Sequence, residues 1–138
     1  MANKIAPDFI VIDDDPINNI ICSKYIEIIF PSADIKAFTD PLSALEHMRS
    51  KYEEPGANKA FVFLDINMPV VSAWKVLDKF NNFPDTIKQH FKIFILSSSI
   101  SGKDKQLAVQ YPVVSGYIEK PLTEVQLQTI FPDIRIQI

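Results

Sequence analysis

Three acids stand side by side in VIDDDPIN, residues 11 to 18, where an apolar run ends and an amphipathic stretch begins. Carboxylates within about 4 Å of one another repel by several kcal/mol at intermediate dielectric, so Asp13, Asp14 and Asp15 must be protonated, solvated apart or neutralised by a cation. Asp65 ends the run FVFLD, Ser97, Ser98 and Ser99 follow IFIL, and Lys120 and Pro121 follow GYIE. Acids, a hydroxyl and an ammonium on one edge would suit phosphoryl transfer to a carboxylate, which needs little beyond an in-line donor and charge neutralisation. In that chemistry Asp65 is the acceptor, Asp13 and Asp14 hold a metal, and Ser97 and Lys120 bind phosphoryl oxygens. Oxygen-only donors without a His or Cys cluster select a hard divalent ion such as Mg²⁺.

The intervening elements must bring these residues together. Apolar runs at 9 to 12, 61 to 64, 93 to 96 and 116 to 118, with a weaker one at 34 to 38, lack alternation and predict strands covered on both faces. Ile17, Ile20, Ile21, Tyr25, Ile28 and Ile29 follow the i, i+3, i+4 rule and predict a helix from about 16 to 30 with that apolar face. Asp40 and Pro41 open a second helix through Leu42, Leu45 and Met48. Trp74, Leu77 and Phe80 mark a third, and Leu107, Ala108 and Tyr111 a fourth that Pro112 ends. Thr123 caps a last one carrying Leu127, Ile130 and Phe131. Five βα units imply an α/β fold, a five-stranded parallel sheet with helices on both faces. Ligands of such sheets collect at the carboxyl ends of the strands, where the acids, serines and lysine fall.

The 138 residues suffice for a single domain, with a core at about 8 to 131 and a short C-terminal tail at 132 to 138. Fourteen basic against 17 acidic side chains, a net charge of −3, give no footprint for a phosphate backbone, so no direct nucleic-acid partner is expected. The lone Cys22 excludes an internal disulfide and fits a reducing compartment. The first apolar run is too short for a signal peptide or a membrane span, so the expectation is a soluble, cytoplasmic protein without membrane contact.

At this point the residues resemble the receiver domains of two-component response regulators. FIVIDDDP is similar to the acid-pair strand of that family, FVFLDINMP to its phosphoacceptor strand and loop, FILSSS to its hydroxyl-bearing strand, and GYIEKP to its aromatic switch and lysine-proline turn. The resemblance implies a flavodoxin-like doubly wound sheet of order 2-1-3-4-5 and a phosphoacceptor switch rather than an enzyme. Asp65 would be phosphorylated by a histidine kinase or histidine phosphotransfer protein. Asp14 would bind Mg²⁺ directly and Asp13 through water, with Asp65 and the backbone carbonyl of Asn67 completing the protein ligands; Mn²⁺ is a potential substitute. Ser97 would move onto the phosphoryl group, Tyr117 would follow it inward, Lys120 would pair with the new charge, and Pro121 would follow a cis peptide bond. Asn67 and Ser99 occupy positions that tune phosphoryl lifetime in the family. The output would be an unknown downstream protein, with room for a phosphorylation-dependent homodimer. The serine-rich LSSSIS and the long stretch 81 to 92 resemble stand-alone members, and the tail PDIRIQI fits that reading. Ser72, Ala73 and Lys75 depart from the family's usual acid, glycine and acid.

Blander readings compete. The three acids could be a solvated turn favoured by a helix dipole, the serines a turn, Tyr117 a core aromatic and Lys120 a surface charge. His47 and His90 lie in predicted helical or exposed segments without partner spacing. DDDPI also loosely fits a haloacid-dehalogenase-type phosphatase with Asp13 as nucleophile and Asp15 as general acid, yet its later acidic cluster is missing, since only Glu124 and Asp133 follow Lys120. A receiver-like binding module that works without phosphorylation is a further alternative. Gly56, Gly102 and Gly116 have no Walker-type spacing, which disfavours a P-loop.

Overall fold

The computed structural model describes residues 7–68, 71–98, 102–120 and 122–131. Five strands, β1 (Asp8–Ile12), β2 (Ile35–Phe38), β3 (Ala60–Asp65), β4 (Phe91–Ser97) and β5 (Val114–Glu119), form one sheet of order β2-β1-β3-β4-β5. Every neighbouring pair is parallel. The helices are α1 (Pro16–Ile29), α2 (Pro41–Lys51), α3 (Ala73–Asn81), α4 (Asp85–Lys88), α5 (Gly102–Val109) and α6 (Glu124–Ile130). The expected α/β, doubly wound, flavodoxin-like sheet is therefore present. Its helix count is six among the described residues rather than five. The additional α4 is a single turn after Pro84 inside the stretch read as a long connection, too short to carry a period of its own. The tail 132 to 138, Ser99 and Pro121, with its expected cis bond, lie outside the described residues.

Local chemistry starts the helices. Asp15 and Asp40 each accept the backbone N–H two residues on, ahead of a proline at the first helical position. Ser72 caps α3, and Thr123 with Gln126 closes a capping box on α6.

The pleat sorts side chains onto two cores. Phe9, Val11, Phe63, Phe94, Leu96 and Ile118 pack with Cys22, Ile26 and Leu127 under α1 and α6. Ile10, Ile12, Val62, Leu64, Ile93 and Ile95 pack with Leu45, Met48, Val76 and Leu77 under α2 and α3, where Tyr117 also packs. On the second side Trp74 stacks on Tyr111 at 5.5 Å between ring centroids, joining α3 to the approach to β5. On the first, Gly116 leaves room for the Phe94 ring: a Cβ there would lie 2.9 Å from Phe94 Cδ1. That ring is pinned by stacking on Phe63 and Phe61 at 5.8 and 6.4 Å. Gly116→Ala is thus expected to cost about 1–3 kcal/mol in urea unfolding, and an unchanged midpoint would show that Phe94 yields freely.

The structure corrects the face of α1. Its buried residues are Asn19, Cys22 and Ile26, while Ile17, Ile20, Ile21 and Ile28 are 63, 59, 42 and 56% exposed. Of the predicted stripe, only Tyr25 and Ile29 pack on the core. The helix is turned by Asn19, whose Nδ2 donates to the carbonyls of Asp13 at 3.0 Å and Phe38 at 3.2 Å. A buried amide must find such partners, and this need outweighs the isoleucine periodicity.

At the amino ends of the strands, Tyr52 donates its hydroxyl to Asp8 Oδ2 at 2.6 Å, and Lys51 pairs with Asp34 at 2.6 Å. Contrary to the sequence reading, His90 is buried at 7% exposure, with its ring 6.2 Å from that of Tyr52. His47 lies against Phe38. Burial first, then Lys51 and Lys36, lower the pKa of His47 below 6.5, and Asp34 and Asp8 only partly oppose them. A depressed pKa means that the fold prefers the neutral ring. The stability linked to it is complete above 6.5 and is lost as pH falls through and below that value. Urea midpoints from about pH 7.5 down to about pH 5 should fall less steeply in His47→Gln than in the wild type; parallel slopes would remove His47 from the acid response.

Candidate phosphoacceptor site

The carboxyl ends of β1, β3 and β5 build one acidic cavity. Continuing the alternation of Phe9 and Val11, Asp13 falls on the α1/α6 side of the sheet. Asp65 falls there after Phe61 and Phe63, and Lys120 after Ile118. Asp13 and Asp65 are each 2% exposed. Lys120 Nζ bridges them, 3.0 Å from Asp13 Oδ2 and 2.8 Å from Asp65 Oδ1. The Asn67 N–H donates to the same Asp65 oxygen at 3.1 Å, and the Asp15 N–H to Asp13 Oδ1 at 2.9 Å. Backbone bonds from Ile66 to Leu96 at 2.9 Å and from Lys120 to Ser97 at 2.7 Å lock the strand ends together.

Asp14 is exposed at the rim, and Asp13, Asp14 and Asp65 can each bring one oxygen within 4.8 Å of the others. These three carboxylates and one ammonium leave two negative charges, the amount that one divalent cation cancels. The donors are all oxygen, so the set fits a hard ion. Burial foremost, and the neighbouring Asp13 charge, raise the pKa of Asp65, against the hydrogen bonds from Lys120 and Asn67. Burial pulls Lys120 down, but its bonds to Asp65 and Asp13 outweigh this and leave it raised, a firmly held ammonium.

Asp13, Asp14, Asp65, Asn67 and Lys120 line a cavity of about 600 Å³ with Ser98 and, on its apolar side, Ile21 and Leu122. Ser97 follows Ile93 and Ile95 onto the opposite side of the pleat, buried at 1% exposure. There it neighbours Tyr117, whose phenol is raised by burial and lowered by the Ser97 side chain. The structure thus brings together Asp13, Asp14, Asp65, Asn67 and Lys120, and pairs Ser97 with Tyr117 beside them. Asp15 spends one carboxylate oxygen on capping α1, 2.9 Å from the Ile17 N–H. Ala73, in place of a glycine, opens the first turn of α3 fully buried, in right-handed backbone that an alanine adopts without strain. Cys22 also lines the cavity, yet burial first and Asp13 second push its thiol up to about 12, which leaves it unreactive. Sequence reasoning missed Asn19, whose only signal was a polar residue inside an apolar period, and Ser98, masked by identical neighbours.

A doubly wound sheet with paired acids, a lysine and a buried carboxylate at its strand ends is the architecture of an aspartate-based signalling switch. The model of the response regulator receiver domain family matches residues 9–131, and the chain belongs to that family. It is a phosphoacceptor response regulator of two-component signalling, a pathway in which receivers work with histidine kinases or phosphotransfer proteins. Among solved structures, a two-component response regulator from Cytophaga hutchinsonii is 26% identical, with a TM-score of 0.79 over 92% of this chain and 95% of that one. A response regulator receiver protein from Dyadobacter fermentans shares the fold at 20% identity and a TM-score of 0.83, over 93% and 97% of the two chains. So does the Vibrio cholerae chemotaxis protein CheY4, at 15% and 0.73 over 95% and 100%. No curated protein matches the chain in sequence. No helix among the described residues is long and apolar enough to cross a membrane.

Proposed function

We propose that Asp65 is the phosphoacceptor and that Asp13, Asp14, Asp65 and the carbonyl of Asn67 hold Mg²⁺, with Mn²⁺ able to replace it. The observation that carries this reading is the bridge of Lys120 between the buried Asp13 and Asp65. Lys120 and the Asn67 N–H fix the orientation of the Asp65 carboxylate before a donor arrives. When bound, the cation supplies charge neutralisation on the phosphoryl oxygens. Attack by an Asp65 oxygen forms an acyl phosphate, while the electron pair of the broken bond leaves with the donor. The new oxygens offer Lys120 and Ser97 stronger acceptors than before. Because Ser97 shares its side of the sheet with Tyr117, its movement changes what Tyr117 packs against, and a target protein reads the altered face. The chemistry is confined to gain and loss of the chain's own phosphoryl group.

The donor in this reading is a histidine kinase or histidine phosphotransfer protein. Its docking on α1 is supported by the exposed Ile17, Ile20 and Ile21, the last of which also lines the cavity. A cytoplasmic location and phosphorylation-dependent homodimerisation belong to the same proposal. Intact-protein mass spectrometry after incubation with acetyl phosphate tests it. The expected result is a gain of one phosphoryl group that requires Mg²⁺. Folded protein that gains nothing from acetyl phosphate or from any kinase would favour a phosphorylation-independent binding module.

A further inference from the structure

Asn19 is a buried polar residue near the start of α1, 4% exposed, and it holds the acid loop at two points. Its side-chain Nδ2 donates to the carbonyl of Asp13 at 3.0 Å, and its backbone N–H donates to the carbonyl of Asp15 at 3.2 Å. Asp14, the exposed carboxylate of the acid trio, is the one residue between those two anchors. The same Nδ2 donates to the Phe38 carbonyl at 3.2 Å, which also accepts the Asp13 N–H at 3.1 Å, so the loop is tied to the end of β2 as well. The other end of the carboxamide is not served: Asn19 Oδ1 is buried without a hydrogen-bond partner among the described residues. An apolar side chain of similar size would avoid that cost. A local cost of this kind marks a residue kept for its site rather than for packing.

We propose that Asn19 is the positioning residue that makes the acid site prefer Mg²⁺ over Ca²⁺. The inference rests on Asp13 and Asp14 holding the cation and adds what sets the choice of ion. Both ions are hard and take oxygen donors, so donor type does not separate them. Geometry does: Mg²⁺ demands near-ideal octahedral positions at short distances, whereas Ca²⁺ accepts longer and irregular ones. The Asp13 carboxylate is fixed at both oxygens, by the Asp15 N–H and by Lys120. Asp14 is exposed, so its backbone must hold its carboxylate in place, and Asn19 bonds the carbonyls on either side of it. Loosening this loop takes more from the ion with the stricter geometry.

The test titrates wild type, Asn19→Leu, Asn19→Ala and Ile26→Val with MgCl₂ and, separately, with CaCl₂, following the amide signals of Asp14 and Asp15 by NMR. Leucine keeps the side-chain volume and alanine favours the helix, and urea unfolding establishes which variants fold. In a folded Asn19 variant Mg²⁺ affinity is expected to fall about tenfold and Ca²⁺ affinity by less than about threefold. Ile26→Val removes a buried methyl group from the same helix and should leave both affinities unchanged. Equal losses for the two ions, no loss for either, or the same loss in Ile26→Val would overturn the role of Asn19. A readout that needs no metal is the order parameters of the Asp14 and Asp15 amides, expected to be lower in the Asn19 variants than in wild type; identical values overturn the role too. Failure of both Asn19 variants to fold would make the residue a requirement of the whole fold and overturn the narrower assignment. A wild type that binds Ca²⁺ as tightly as Mg²⁺ would do the same, whereas a wild type whose acid loop responds to neither ion would count against the metal site itself.

Discussion

Asp65→Asn should fold as stably as the wild type and take up no phosphoryl group from acetyl phosphate or from a protein donor. The loss is complete because the carboxamide oxygen is not a nucleophile of comparable strength and no other described carboxylate combines burial with the Lys120 and Asn67 contacts. Folding survives because an asparagine oxygen still accepts the Asn67 N–H, and removal of one buried charge relieves its repulsion with Asp13. Mass spectrometry with a thermal melt separates the two halves of the result. Phosphoryl uptake at the wild-type level in a folded Asp65→Asn protein would move the acceptor elsewhere.

Lys120→Met removes the ammonium and keeps most of the side-chain volume. Asp13 and Asp65, each almost without solvent, lose the partner that both share. Removing one partner of a buried ion pair costs about 3–5 kcal/mol. The lower end is expected here, because Lys120 keeps 18% of its side chain exposed and Asp65, already raised by burial, can take up a proton instead. In metal-free buffer the variant should therefore unfold about 3 kcal/mol more easily. Mg²⁺ should raise its midpoint more than that of the wild type, because the cation then offsets an uncompensated charge rather than a partly cancelled one. Phosphoryl uptake should fall by about a hundredfold or more, as for loss of a group aimed at developing charge. Equal stability of the two proteins without metal would mean that the acids are solvated apart and do not depend on the lysine.

Much of this site is legible in the sequence because strands buried on both faces announce themselves as apolar runs. The residues that end FIVI, FVFL and GYIE are then fixed at one sheet edge by topology alone. The failures have equally local causes. Four residues of α4 cannot show a helical period. The isoleucines of α1 fit a core stripe, yet Asn19 must reach the carbonyls of Asp13 and Phe38, and a buried amide constrains rotation more strongly than exposed methyl groups do. SSS is uniform as text. Only the alternation from Ile95 to Ser97 and from Leu96 to Ser98 divides it, and that division becomes visible once both sides of the sheet are known to be covered.

The sheet that separates Asp13, Asp65 and Lys120 from Ser97 and Tyr117 also separates two kinds of evolutionary freedom. On the proposed reading, the partner that writes the signal meets the α1 side, and the partner that reads it meets the side carrying Tyr117. Substitutions outward of the sheet on one side can then change who is heard without changing who answers. A lineage could rewire either end of the conversation while the few residues at the strand tips, which serve both, stay still.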